Sequence, residues 1–160
     1  MRSPILQMTS ALLLAALPFA AAAAEITVSD PHVRLAPPGA PASAAYLVIR
    51  NSGAADRQLV KAESPDAKTV ELHEHRNDNG IMRMREVGSI VIKAHAQTEL
   101  KPGGYHLMLI GVNKTLDEGD SVTITLVFDD GSRLAAAARV RKIQTDLPAG
   151  LGTDHGAMKH

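Results

Sequence analysis

From Glu25 onward the chain is a succession of short apolar or alternating runs, each closed by turn-forming residues, with no long stretch of helical periodicity. This punctuation predicts strands at Ile26–Val28, Ala44–Arg50, Gln58–Ala62, Thr69–His75, Met82–Val87, Ser89–Lys93, Thr98–Leu100, His106–Gly111, Ser121–Phe128 and Arg133–Val140. The breaks are chemically explicit: Pro37-Pro38-Gly39, Asn51-Ser52-Gly53, Asn77-Asp78-Asn79-Gly80, Pro102-Gly103-Gly104 and Asp129-Asp130-Gly131. The expected fold class is an all-β sandwich or barrel. Ala135–Ala138 favours helix by composition, but the runs around it, Val122–Phe128 and Arg139–Ile143, read as paired strands.

The first two dozen residues have a different character. Arg2 supplies a positive start, Ala11–Leu17 a short apolar core, and Ala22-Ala23-Ala24 an A-x-A cleavage site before Glu25. The apolar stretch is shorter than the roughly 20 residues a span requires, and Pro18 interrupts it. Residues 1–24 are therefore expected to be a signal peptide, with export to the periplasm and no membrane span in the mature protein. Residues 25–147 are expected to form one domain and residues 148–160 a short, polar, mobile tail. Seventeen basic residues balance seventeen acidic ones, so no charge field points to nucleic acid or to an anionic membrane surface. A monomer that binds no nucleic acid is the expectation.

Cysteine is absent, which excludes thiol catalysis, zinc-thiolate sites, iron-sulfur clusters and cysteine-ligated blue copper. Aromatics after the leader are only Tyr46, Tyr105 and Phe128, so the core must be aliphatic. What remains for metal chemistry is a set of soft donors, His73, Met84, His106 and Met108, spaced His-x10-Met-x21-His-x-Met. Two imidazoles and two thioethers suit copper(I), because thioether sulfur prefers the reduced ion.

Side chains alternate faces along a strand, so His106 and Met108 share a face opposite Tyr105, Leu107 and Leu109. By the same alternation His73 shares a face with Glu71 and His75, and Met84 with Met82 and Glu86. The Asn77–Gly80 turn is expected to join the strands carrying His73 and Met84 as a hairpin. Any one of these residues taken alone is ordinary, since Met fills core gaps and a strand His is commonly solvated or hydrogen-bonded. Their joint occurrence, in a chain with four methionines after the leader, is what favours ligation. Imidazole must lose its proton to bind, so affinity should weaken below about pH 6.

The spacing, together with Val70-Glu71-Leu72-His73, Met82-Arg83-Met84-Arg85 and Pro102-Gly103-Gly104-Tyr105-His106-Leu107-Met108-Leu109, closely resembles the PCu(A)C family of periplasmic copper chaperones. The resemblance runs from Asp30-Pro31 through Tyr46 and Asn51 to Gly119-Asp120 and Phe128. It implies a cupredoxin-like Greek-key β-sandwich that binds copper(I) through two His and two Met and passes it on for cytochrome oxidase assembly. Position by position, His73, Met84, His106 and Met108 match the four ligands. His32 departs from the pattern, standing where relatives often have an aromatic such as Trp.

His75 and Met82 flank the hairpin, where solvated loop-end residues are ordinary, and are also placed to be alternate donors. His95, in the Ala94–Gln97 turn, is expected at the surface. His155, Met158 and His160 bring three donors into the tail, and the resemblance implies auxiliary capture there, including of copper(II). Asp129-Asp130 falls in a turn with no partner for acid-base work, and neither a phosphate loop nor a nucleophile elbow is present. The expected function is a non-enzymatic copper(I) carrier delivering to the copper-A centre of an oxidase subunit or to an assembly thiol protein. A copper storage or resistance protein and a metal-free interaction module are the alternatives.

Overall fold

The structure is a computed structural model that describes residues 25–143, and among these it contains ten strands and no helix. In chain order they are β1 (Ile26–Arg34), β2 (Ala42–Asn51), β3 (Arg57–Glu63), β4 (Ala67–Asp78), β5 (Ile81–Glu86), β6 (Ile90–Ile92), β7 (Ala96–Leu100), β8 (Tyr105–Val112), β9 (Ser121–Phe128) and β10 (Arg133–Arg141). The expected leader and tail lie outside the described residues.

The strands hydrogen-bond in the order β5-β4-β8-β2-β1-β10-β9-β3-β6. The strand β2 serves two neighbours along one edge: its first half, Ala42–Ala45, pairs with β8, and its second half, Leu47–Asn51, pairs with β7. Only β1 and β10 run parallel. The sheet folds over itself, bringing β3 against β4 and β6 against β7. The result is a cupredoxin-like Greek-key β-sandwich.

Period-two alternation accounts for the interior. In β9, Val122, Ile124, Leu126 and Phe128 are buried while Ser121 and Thr123 are exposed. In β10 the same rhythm buries Ala138 and Val140 and exposes Arg139 and Arg141, so the alanine run is a strand paired throughout with β9. Leu47, Ile49, Leu59, Ile90, Ile92, Leu107 and Leu109 complete the aliphatic core, each burial contributing roughly 1.5–3 kcal/mol. Buried Asn51 ties the strand ends together: its amide donates to the carbonyls of Ala55 (2.8 Å) and Ile92 (3.2 Å), and its oxygen accepts from Gly53 N–H (2.9 Å).

Several strands run past their expected bounds: β4 extends from Ala67 to Asp78, taking in two residues expected in the turn, and the largest difference is in β1. Strand β1 continues beyond Val28 to Arg34, across Pro31. Proline lacks the N–H a ladder needs, and the chain accommodates it by a register shift between Ser29 and His32, with Asp30 at φ 47°. This carries His32 into pairing with Tyr46. Among the described residues no helix is long and apolar enough to cross a membrane.

Candidate metal centre

Strands β8, β4 and β5 lie side by side, and their registers stack the donors like rungs. Met108 stands opposite Glu71, and His106 opposite His73. His75 N–H bonds the Gly104 carbonyl at 3.1 Å, one rung further out. Across the next ladder His73 faces Glu86, His75 faces Met84, and Asn77 faces Met82. The hairpin that fixes this register is closed by Asn79 (φ 53°) and Gly80 (φ 86°), the backbone of a two-residue type I′ turn, and Asn77 Oδ1 accepts Gly80 N–H at 2.7 Å.

The structure thus brings three of the four expected donors into one cluster, with Met108 one rung inward on the same strand face as His106. The ring centroids of His73 and His106 are 5.7 Å apart, and Met84 Sδ is 3.1 Å from His106 Nε2. Leu107 and Leu109, on the opposite face, are fully buried in the core, which anchors the strand beneath the donors. Exposure is uneven: His106 is 2% exposed, whereas Met84 is 47% exposed.

Hydrogen bonding sets the state of each ring. A carbonyl can only accept, so His106 Nδ1–H donates to Gly104 O at 3.0 Å, and in the neutral ring Nε2 keeps its lone pair. Burial above all, reinforced by the neighbouring His75, His73 and Arg34, holds the His106 pKa below the ordinary imidazole value against the opposing pull of the Gly104 bond. The neutral Nε2 therefore faces the Met84 thioether at 3.1 Å, two electron-pair donors with no hydrogen between them. Such a pair can be bridged by a cation.

His73 is prepared by a different partner. Its Nε2–H donates to Glu71 Oε2 at 2.8 Å, which leaves Nδ1 as the free nitrogen. That Nδ1 is buried and has no hydrogen-bond partner, and the same holds for His75 Nδ1. Buried polar atoms are rarely left unpaired, so two of them on one strand face mark a place built for something other than stability. A carboxylate behind a histidine is the usual way a protein orients a metal-binding imidazole.

Sequence reading missed two contributors. Glu71 was legible only as a face-mate of His73, and the Gly104 carbonyl, being backbone, carried no residue signal. His75 is half-buried, with its ring stacked on His106 at 4.9 Å and 24°, rather than a solvated loop-end residue. Met82 is exposed beyond Met84 on the edge strand. His32 fills the aromatic position by packing its ring 5.6 Å from Tyr46, whose ring is 6.4 Å from His106. His95 is exposed, while His155, Met158 and His160 lie outside the described residues.

Among the described residues no three His, Asp or Glu side chains are grouped to hold a metal ion, so a metal held on this face would draw on thioether sulfur as well as imidazole. A hollow of about 520 Å³ between the Pro37–Ala40 and Asn113–Asp117 loops carries neither His nor Met.

A cupredoxin-like sandwich presenting imidazole and thioether on one strand face defines a class, that of β-sandwich domains with a soft-donor surface. Residues 26–140 match the family described as "Putative lipoprotein LpqE-like", and the chain belongs to this LpqE-like, PCuAC-type family. It is 35% identical over 117 residues to "Putative lipoprotein Lxx21020" of Leifsonia xyli subsp. xyli, covering 72% of this chain and 69% of that protein. Among solved structures it is similar to the solution structure of CuI-DR1885 from Deinococcus radiodurans, with a TM-score of 0.59 and 32% identity, covering 73% of this chain and 76% of that one. The fold is also that of the copper-bound PCuAC domain from PmoF2, with a TM-score of 0.64 and 22% identity over 76% of this chain and 97% of that domain.

Proposed function

We propose that this chain is an exported, non-enzymatic copper(I) carrier that holds the ion between His73, Met84, His106 and Met108 and releases it to an acceptor in cytochrome oxidase assembly, the copper-A subunit or an assembly thiol protein. The observation that carries the reading is the neutral His106 Nε2 set 3.1 Å from the Met84 sulfur with no proton to share. The relation to CuI-DR1885 supports copper(I) as the ion. Two thioethers and neutral imidazoles stabilise the reduced ion, which suits carriage better than redox turnover. Met84, half in solvent on an edge strand, gives an acceptor access by ligand exchange. The leader and the family's lipoprotein description both support export. His155, Met158 and His160 serve as an auxiliary capture site.

The test is a copper(I) titration against a competing chromophoric chelator. The wild-type chain should retain one ion per molecule, and Met84→Ala combined with Met108→Ala should release it to the chelator. Equal retention by wild type and double variant would defeat the reading, as would a wild type that holds no copper.

A further inference from the structure

The imidazole of His75 has no structural explanation. Its Nδ1 is buried without a hydrogen-bond partner. Its ring lies flat against His106 at 4.9 Å, closer than the His73 ring at 5.7 Å. Its cross-strand partner on β5 is Met84, and directly opposed residues in a sheet hold their side chains within about 4.5–5.5 Å at Cβ. Met84 in turn meets His106 Nε2 at 3.1 Å. Three soft donors, His75, His106 and Met84, thus form a closed set of neighbours on the outer side of the cluster. Of the inner partners, His73 stands directly across the ladder from His106, and Met108 lies one rung further in, opposite Glu71.

We propose that His75 is a further copper(I) donor, and that His75, His106 and Met84 make an outer, three-coordinate position sharing His106 and Met84 with the inner set. The inference rests on the copper(I) reading above and adds a direction to it. Copper(I) accepts three ligands as readily as four, so exchanging His73 and Met108 for His75 moves the ion one rung towards the hairpin without ever freeing it from His106 or Met84. Exposure rises along that route, from His106 at 2% to Met84 at 47% and Met82 at 54%. The outer position is where an acceptor would meet the ion. Because one of its donors is a thioether, it is compatible with the lack of any three-histidine or carboxylate cluster among the described residues.

The experiment uses the full chain with His155→Ala, Met158→Ala and His160→Ala, so that the tail donors cannot substitute. The copper(I)-loaded protein is mixed with excess bicinchoninate by stopped flow, and equilibrium retention is measured with the same chelator. His75→Phe keeps a ring against His106 but removes the donor, whereas His75→Met restores a soft donor without the ring. The inference expects His75→Phe to slow transfer about tenfold with equilibrium affinity within threefold of the parent, and His75→Met to recover the rate. It also expects the ring nitrogens of His75 to shift in nitrogen-15 spectra when copper(I) is added. Transfer by His75→Phe within twofold of the parent, or His75 resonances unmoved by copper(I), would overturn the outer position while leaving the four-donor site intact. A parent protein that retains no copper(I) would overturn both.

Discussion

The two faces of strand β8 obey different rules. On one face Leu107 and Leu109 are fully buried among aliphatic neighbours, in contacts that water would weaken. On the other face His106 is almost as inaccessible, yet it meets a sulfur it cannot hydrogen-bond and two rings with orphaned nitrogens. Burial alone therefore does not distinguish structure from function in this sheet. What separates the faces is satisfaction: the leucines are fully packed, whereas His106 Nε2 faces another electron-pair donor and the Nδ1 atoms of His73 and His75 have no hydrogen-bond partner.

The sharpest way to break that comparison is to truncate adjacent residues. Leu107→Ala should cost about 2–5 kcal/mol of stability in urea denaturation, since the packed core cannot collapse fully around the lost atoms. The folded variant should still hold copper(I) within threefold of wild type. His106→Ala should do the reverse, losing copper(I) affinity on the order of 100-fold, equivalent to about 2.7 kcal/mol, while destabilising less than the leucine change. Equal stability losses at both positions would mean that His106 is simply core.

A smaller effect is expected one bond further out. Glu71 touches no proposed copper position directly, but it fixes which nitrogen of His73 bears the proton. Glu71→Ala should weaken copper(I) binding by about 10–100-fold, and Glu71→Gln, which can still accept the hydrogen bond, should lose less. Nitrogen-15 spectra of the metal-free chain provide an independent check: His73 should be the Nε2–H tautomer in wild type and a mixture in Glu71→Ala. A wild-type ring that is already a mixture would remove the positioning role.

Legibility in the sequence followed the same division. All ten strands were visible because alternation and turn residues are local signals, and even the alanine run was readable through its neighbours. The largest departure in bounds, β1 beyond Val28, depended on a bulge that absorbs Pro31, and a bulge is a pairing event between strands that single-strand alternation does not encode. The donor residues were visible as residues, and their faces followed from period two. Their order across strands was legible only in part: a two-residue turn at Asn79-Gly80 sets Met84 against His75, whereas the slide of β4 against β8, which sets His73 against His106, is a long-range pairing with no local signal. Hydrogen-bond partners such as Gly104 O were invisible for the same reason.

The gentlest probe of the difference between the faces is pH. The leucine face has nothing to titrate, so the part of any change near neutrality that His106→Ala removes comes from the donor side. Burial keeps the folded-state pKa of His106 below the ordinary imidazole value of about 6.5. As pH falls through that value the unfolded chain takes up a proton that the folded chain refuses, so unfolding becomes more favourable. Stability of the metal-free protein is therefore full above about pH 6.5 and declines towards the lower folded pKa, below which the loss is complete. The depressed carboxyls of Asp30, beside Arg141, and Asp66, beside Lys114, act in a separate window below about pH 4, their contribution being present above the unfolded value and lost as pH falls through the folded one. Denaturation midpoints between pH 7 and pH 5 should thus slope downward in wild type and less in His106→Ala. Copper(I) affinity should weaken over the same interval, below about pH 6, because the proton competes for the Nε2 lone pair that faces Met84. An affinity that stays flat from pH 7 to pH 5 would show that the ion does not use imidazole nitrogen, and the unsatisfied face would then need another explanation.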